Sequence, residues 1–180
     1  LASPTQTNTY FIKVNTRLPV FSLTTDPSNL WDYNTGIFVL GPNAGSSNPY
    51  WGANFWQDWE KPITLEYFDR SKNRAFKFNS GMKITGGWSR SAPQKSLEIM
   101  LGDRYGQSKL NYSLEESVKP WLDKWDDFIL HTTGNDRNLC KMRDPLMNRL
   151  LKGTNNDYLA YEPCMVFING QNWGIYYIRE

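Results

Sequence analysis

A chain of 180 residues, 39% hydrophobic and 21% charged, can build one domain with a core of its own and is too short for two comfortable ones. A net charge of +2, from dispersed lysines and arginines, sets aside the strongly basic surface of a nucleic-acid binder, and no apolar run reaches the length of a membrane-spanning helix. Eight tryptophans and ten tyrosines argue against disorder despite a mean hydropathy of −0.61, and such richness also suits stacking on sugar rings.

Residues 1–9, LASPTQTNT, are rich in Pro, Ser and Thr and are expected to form a linker or the end of a preceding module. Apolar alternation predicts strands over residues 10–14 and 18–24, separated by a polar turn. Asp26 followed by Pro27 supplies an N-cap and a proline at the first helical position of a short helix, after which residues 36–40 return to strand. Residues 41–59 read as a long loop of Gly, Asn, Ser and Pro weighted with aromatic rings. Trp56 and Trp59 are expected to cap the core, leaving Tyr50 and Trp51 freer.

Residues 62–69 and 74–78 predict a hairpin, and residues 81–85 and 95–101 two further strands. Ser113 with Glu116 makes a capping box opening a helix that Pro120 interrupts, and residues 125–131 are again strand-like. Over residues 139–152, Leu139, Met142, Leu146, Leu150 and Leu151 fall near helical spacing, with Pro145 weakening the middle unless the helix starts near Arg143. A last hairpin, residues 163–168 and 172–178, is closed by Asn169, Gly170 and Gln171. The fold class expected is α+β, a mostly antiparallel sheet with one or two helices packed on a face.

Cys140 and Cys164 permit a disulfide without requiring one, and two free buried thiols are expected. With His131 the lone histidine, zinc clusters and histidine-based triads are poorly supported.

The most informative stretch is residues 81–101, GMKITGGWSRSAPQKSLEIML. Gly86 and Gly87 allow a ligand to approach the backbone, while Ser89, Ser91, Arg90 and Lys95 add donors and positive charge, an arrangement that fits phosphate. On spacing alone it is more often the pattern of an ordinary turn with basic residues in water, and it matches neither a Walker loop nor a dinucleotide fingerprint.

Four stretches in order resemble the spore coat protein H (CotH) kinase-like family: SLTTDPSNLWDYNTGIFV at residues 22–39, ITGGWSRSAPQKSLEI at 84–99, TGNDRNLCKMRDPL at 133–146 and VFINGQNWGIYYIRE at 166–180. The family is similar to an atypical protein kinase, and the resemblance implies that residues 10–180 form the N-terminal part of its domain, an N-lobe truncated at its C-terminal end. It implies ATP with Mg²⁺ as cofactors of the full-length parent and a protein as phosphoryl acceptor. On this resemblance Lys95 positions the ATP phosphates, with Arg90 as second cation and Ser89, Gly86, Gly87 and Glu180 as further nucleotide contacts. A kinase lysine needs an acidic partner on a nearby helix, and Asp144 is the nearest candidate for that of Lys95, although an acid at the N-terminus of its helix is the more ordinary reading of it. The family's metal-binding and acceptor-positioning acids lie beyond Glu180, so residues 10–180 alone are not expected to catalyse. This chain has Leu130-His131 where the family often has Leu-Arg. The composition and the resemblance together suit an exported or cell-surface bacterial protein.

Two other readings compete. A carbohydrate-binding or adhesion module would use Tyr50 and Trp51 as stacking platforms for a surface glycan. Glycoside hydrolysis would need a carboxylate pair such as Glu60 with Glu66 or Asp126 with Asp127, and adjacent acids on a strand point to opposite faces.

Overall fold

The computed structural model describes residues 6–114 and 119–180. Its frame is a closed barrel of seven strands in the order β1-β2-β3-β4-β7-β9-β8: β1 (Val20–Thr24), β2 (Lys61–Phe68), β3 (Arg74–Thr85), β4 (Ser96–Met100), β7 (Asp127–His131), β8 (Glu162–Ile168) and β9 (Gln171–Arg179). A small two-stranded sheet, β5 (Leu110–Asn111) with β6 (Lys124–Trp125), lies outside it, and the α-helices among the described residues are α1 (Pro27–Trp31) and α2 (Arg143–Leu151). All barrel pairings are antiparallel except β1 with β8, which runs parallel and closes the sheet. This is the expected mixture of antiparallel sheet and helices, with the sheet curled shut so that no edge is left open.

Alternation explains the interior. In β8 every second residue is buried, which sends Cys164, Val166 and Ile168 inward. They meet Leu23, Leu65, Leu97 and Ile99 from other strands in one cluster, and Phe21 packs its ring against both Tyr67 (4.7 Å between centroids) and Phe128 (5.5 Å). The last hairpin turns at Asn169 and Gly170, both with positive φ, as the short Asn-Gly signal predicts.

Several local expectations give way to tertiary structure. Residues 10–14 form no strand; Tyr10 and Ile12 are exposed, and only Phe11 docks, edge-on to Phe68 at 4.8 Å. With both neighbours of β1 already taken by β2 and β8, that segment finds no sheet edge beside it. Residues 36–40 are turns, because the Asp32 carboxylate accepts from the Asn34 and Thr35 amides and folds the chain back on α1. Residues 81–85 continue β3, which runs unbroken from Arg74 to Thr85. Gly81 marks a close approach there, since a Cβ would collide with the Glu60 carboxylate.

The capping-box helix expected from Ser113 and Glu116 falls on residues 115–118, outside the described residues. Helix α2 starts at Arg143, which puts Pro145 in its first turn, where its missing N–H costs nothing. Cys140 and Cys164 are both free, and Cys140 is exposed rather than buried.

Candidate functional site

One end of the barrel gathers the α1 region, the aromatic loop of residues 41–59, the turn between β3 and β4, the segment after β7 and the Trp173 end of β9. The β3–β4 turn is built from its own basic residues. Gly86 takes a φ of 108°, a value that side chains rarely tolerate, and a short 3-10 turn follows at Trp88–Ser91. The Arg90 guanidinium folds back to donate to the Gly86 carbonyl (2.6 Å) and to Phe55 O (3.4 Å), with its plane over the Trp56 ring. Arg90 thus straps the turn to the aromatic loop.

Lys95 enters β4 with its side chain inside, only 4% exposed. Its ammonium donates to the carbonyls of Arg90 and Ala92 and sits 4.0 Å from the centre of the Phe55 ring. An ammonium has three donors; two are used, and among the described residues no carboxylate pairs with it. Burial drives its pKa down to about 8.

Two cavities adjoin this turn. Gly87, Trp88 and Ser89 face Gly134 and Asn135 across an open groove of about 480 Å³. Further along, Lys95 lines a cavity of about 370 Å³ together with Trp31, Phe38, Tyr50, Phe55 and Trp173. Trp173 stacks on Trp31 at 6.1 Å and meets Phe38 edge-on at 5.0 Å, so the aromatic wall is continuous. Gln94 holds this wall to the turn by donating to the carbonyls of Trp173 (2.9 Å) and Ile175 (3.1 Å).

The segment after β7 is ordered by short polar contacts. The Thr132 amide donates to Ser96 Oγ (3.1 Å), which joins its base to that of the β3–β4 turn. Buried Asp136 accepts from the Arg143 amide (3.0 Å) and the Cys140 thiol (3.3 Å), and these hydrogen bonds hold its carboxyl below the usual range. Its oxygens therefore organise the start of α2. The His131 ring accepts from the Thr133 amide, and burial beside Arg179 lowers its pKa to about 4, so it is neutral at physiological pH.

Of the residues singled out from sequence, Gly86, Gly87, Ser89, Arg90 and Lys95 share the turn, and Tyr50 joins Lys95 in the aromatic cavity. Trp51, 56% exposed, lies outside that cavity and packs on Trp56 at 4.2 Å. Asp144 does not reach Lys95. Its carboxylate pairs with Arg179 on β9, because α2 turns that face toward the barrel wall. Glu180 is also not gathered at the turn: it pairs with Lys119, and the register through β7 puts Arg179 level with Glu98, three residues along from Lys95. Glu60 is held by Arg104 and Tyr105, and Glu66 by Arg74 and Thr9, so these two proposed hydrolytic acids are committed to their own contacts, while Asp126 makes an exposed pair with Lys109. Reasoning from sequence missed Trp31, Phe38 and Trp173 as cavity walls, although all three lie within family-like stretches.

The domain is thus a closed β-barrel that carries a basic, glycine-containing turn against an aromatic cavity. The family model described as CotH kinase protein matches residues 82–180, more than half of the chain, and the chain belongs to that family. The match spans the later part of β3 through β9 and includes the β3–β4 turn, the segment after β7 and α2; the family-like stretch at residues 22–39 lies outside it. No curated protein matches the chain.

Proposed function

We propose that this chain is the nucleotide-holding part of a CotH-type atypical protein kinase, resembling an N-lobe, with the β3–β4 turn and Lys95 as its phosphate contact. The observation that carries this reading is the Lys95 ammonium: buried, without a carboxylate among the described residues, and with one donor left beside an aromatic cavity. A charge held this way is costly without an anion, and phosphate oxygens supply one. The cavity rings offer flat apolar surface for a purine. ATP, when bound, would bring the transferable phosphoryl group to a protein acceptor; Lys95 would orient its phosphates and Arg90 would keep the turn closed.

Magnesium fits these residues less well. Among the described residues no group of three or more His, Cys, Asp or Glu side chains comes together, and Asp136 and Asp144 are committed to Arg143 and Arg179. The residues present suit the phosphates rather than the metal. The reading also places the protein outside the cell or at its surface, which labelling of intact cells with an impermeant reagent checks.

The test is titration with ATP, followed by tryptophan fluorescence, since Trp31 and Trp173 line the cavity. Lys95→Met is expected to weaken binding by roughly 10–100-fold, the range of a lost charge-assisted hydrogen bond, while Trp51→Ala leaves it unchanged. The reverse pattern, with an oligosaccharide bound through Trp51 and indifferent to Lys95, would favour the carbohydrate-binding module.

A further inference from the structure

Helix α2 is mounted with its polar side toward the barrel. Asp144 and Asn148 are half-buried and Pro145 is buried; Asp144 pairs with Arg179, and Asn148 accepts from the Leu159 amide at 2.8 Å. The opposite face carries Arg143, Leu146, Met147 and Leu150, at the spacing that aligns side chains on one side of a helix. Leu146 is 54% exposed, Met147 62% and Leu150 65%, and the lead-in adds exposed Leu139 and Met142. Isolated exposed leucines need no explanation, but five large apolar side chains on one short segment make a patch on the order of a few hundred Å², which marks an interaction surface.

Charge says what covers it. The acids of this segment, Asp136 and Asp144, are turned inward and paired with arginines. Arg143 stands within the apolar face, with its side chain 69% exposed despite its contact with Asp136, and exposed Arg149 and Lys152 lie beside it. The outer surface of α2 is therefore apolar and positive. We propose that it docks an acidic amphipathic helix of a partner protein, whose apolar side chains pack against Leu146, Met147 and Leu150 and whose flanking carboxylates meet Arg143 and Arg149. This is the mode in which one apolar helical face is recognised by another, with charge selecting the partner. It does not depend on nucleotide binding.

The probes are two synthetic amphipathic helical peptides with the same leucine face, one flanked by glutamates and the other by lysines. Fluorescence anisotropy with the whole chain should show the glutamate peptide binding about tenfold tighter. Leu146→Ser with Leu150→Ser should abolish binding without lowering the melting temperature, because both side chains already face water. Arg143→Glu with Arg149→Glu should invert the preference. As Arg143 also contacts Asp136, Arg149→Glu alone serves as the gentler variant and should narrow the preference about threefold. Equal binding of both peptides, binding of neither, binding of phosphatidylserine vesicles in preference to either peptide, or self-association lost with Leu150→Ser would each overturn the proposal.

Discussion

The barrel interior and helix α2 sort their side chains in opposite directions. In β8 the apolar residues Cys164, Val166 and Ile168 point into the common core. In α2 the apolar residues Leu146, Met147 and Leu150 point outward, and around buried Pro145 the helix is tied to β9 through Asp144 and to the segment before β8 through Asn148. The barrel is held by burial, at about 25 cal/mol per Å² of apolar surface, and α2 by a few polar contacts worth about a kcal/mol each. Lys95 adds a third arrangement, a buried charge with carbonyls and a ring around it but, among the described residues, no acid. The part of the domain that would handle a ligand is thus also the part where ordinary sorting is set aside, as expected where function rather than stability selects the residue.

Mutations at the three places should differ in cost. Leu97→Ala in β4, which removes a fully buried side chain, should cost about 2–5 kcal/mol in urea unfolding. Next comes the charge on Lys95. Because its folded pKa, about 8, is lowered from the ordinary 10.5, the unfolded chain holds more protons between those values. Burying the charge is a penalty in full below pH 8, and stability recovers as pH rises toward 10.5, by about 2–3 kcal/mol. Raised tyrosine pKa values at Tyr105 and Tyr176 act in the opposite sense near the top of that range, so the quantity to measure is wild type minus Lys95→Met. That difference should climb between pH 7.5 and pH 10, about those bounds; a flat difference would mean that the lysine is not buried as a cation.

Asp144→Asn should cost about 1–2 kcal/mol, less than a fully buried pair because the aspartate is 38% exposed. The smallest effect belongs to Leu150→Ala, within about 0.5 kcal/mol, as expected of a side chain in water. Were Leu150→Ala to approach Leu97→Ala in cost, the face of α2 would be packed rather than free.

These contrasts explain which features could be read from the residues. The alternation that places Val166 and Ile168 inside is local, and so is the Asn169-Gly170 turn. Closure by the parallel pairing of β1 with β8 is not, since it joins Val20 to Met165 across most of the chain. The helical spacing of Leu146 and Leu150 was legible, but not its direction, which Arg179 and the Leu159 amide decide from later in the sequence. At the candidate site, the glycine turn and Lys95 were legible as a motif. The acid expected beside Lys95 was not there, because Asp144 reaches Arg179 instead. Trp31 and Trp173 become neighbours only once the barrel brings α1 against the last hairpin.

The most direct test of the nucleotide reading is calorimetric titration of the chain with ATP at a pH near the Lys95 pKa of about 8, repeated in buffers of different ionisation enthalpy. An anion beside this ammonium should restore its proton, so binding should be accompanied by proton uptake that disappears in Lys95→Met. ATP binding without proton uptake and unchanged by that substitution, or no binding at all, would contradict the assignment of Lys95 as the phosphate contact.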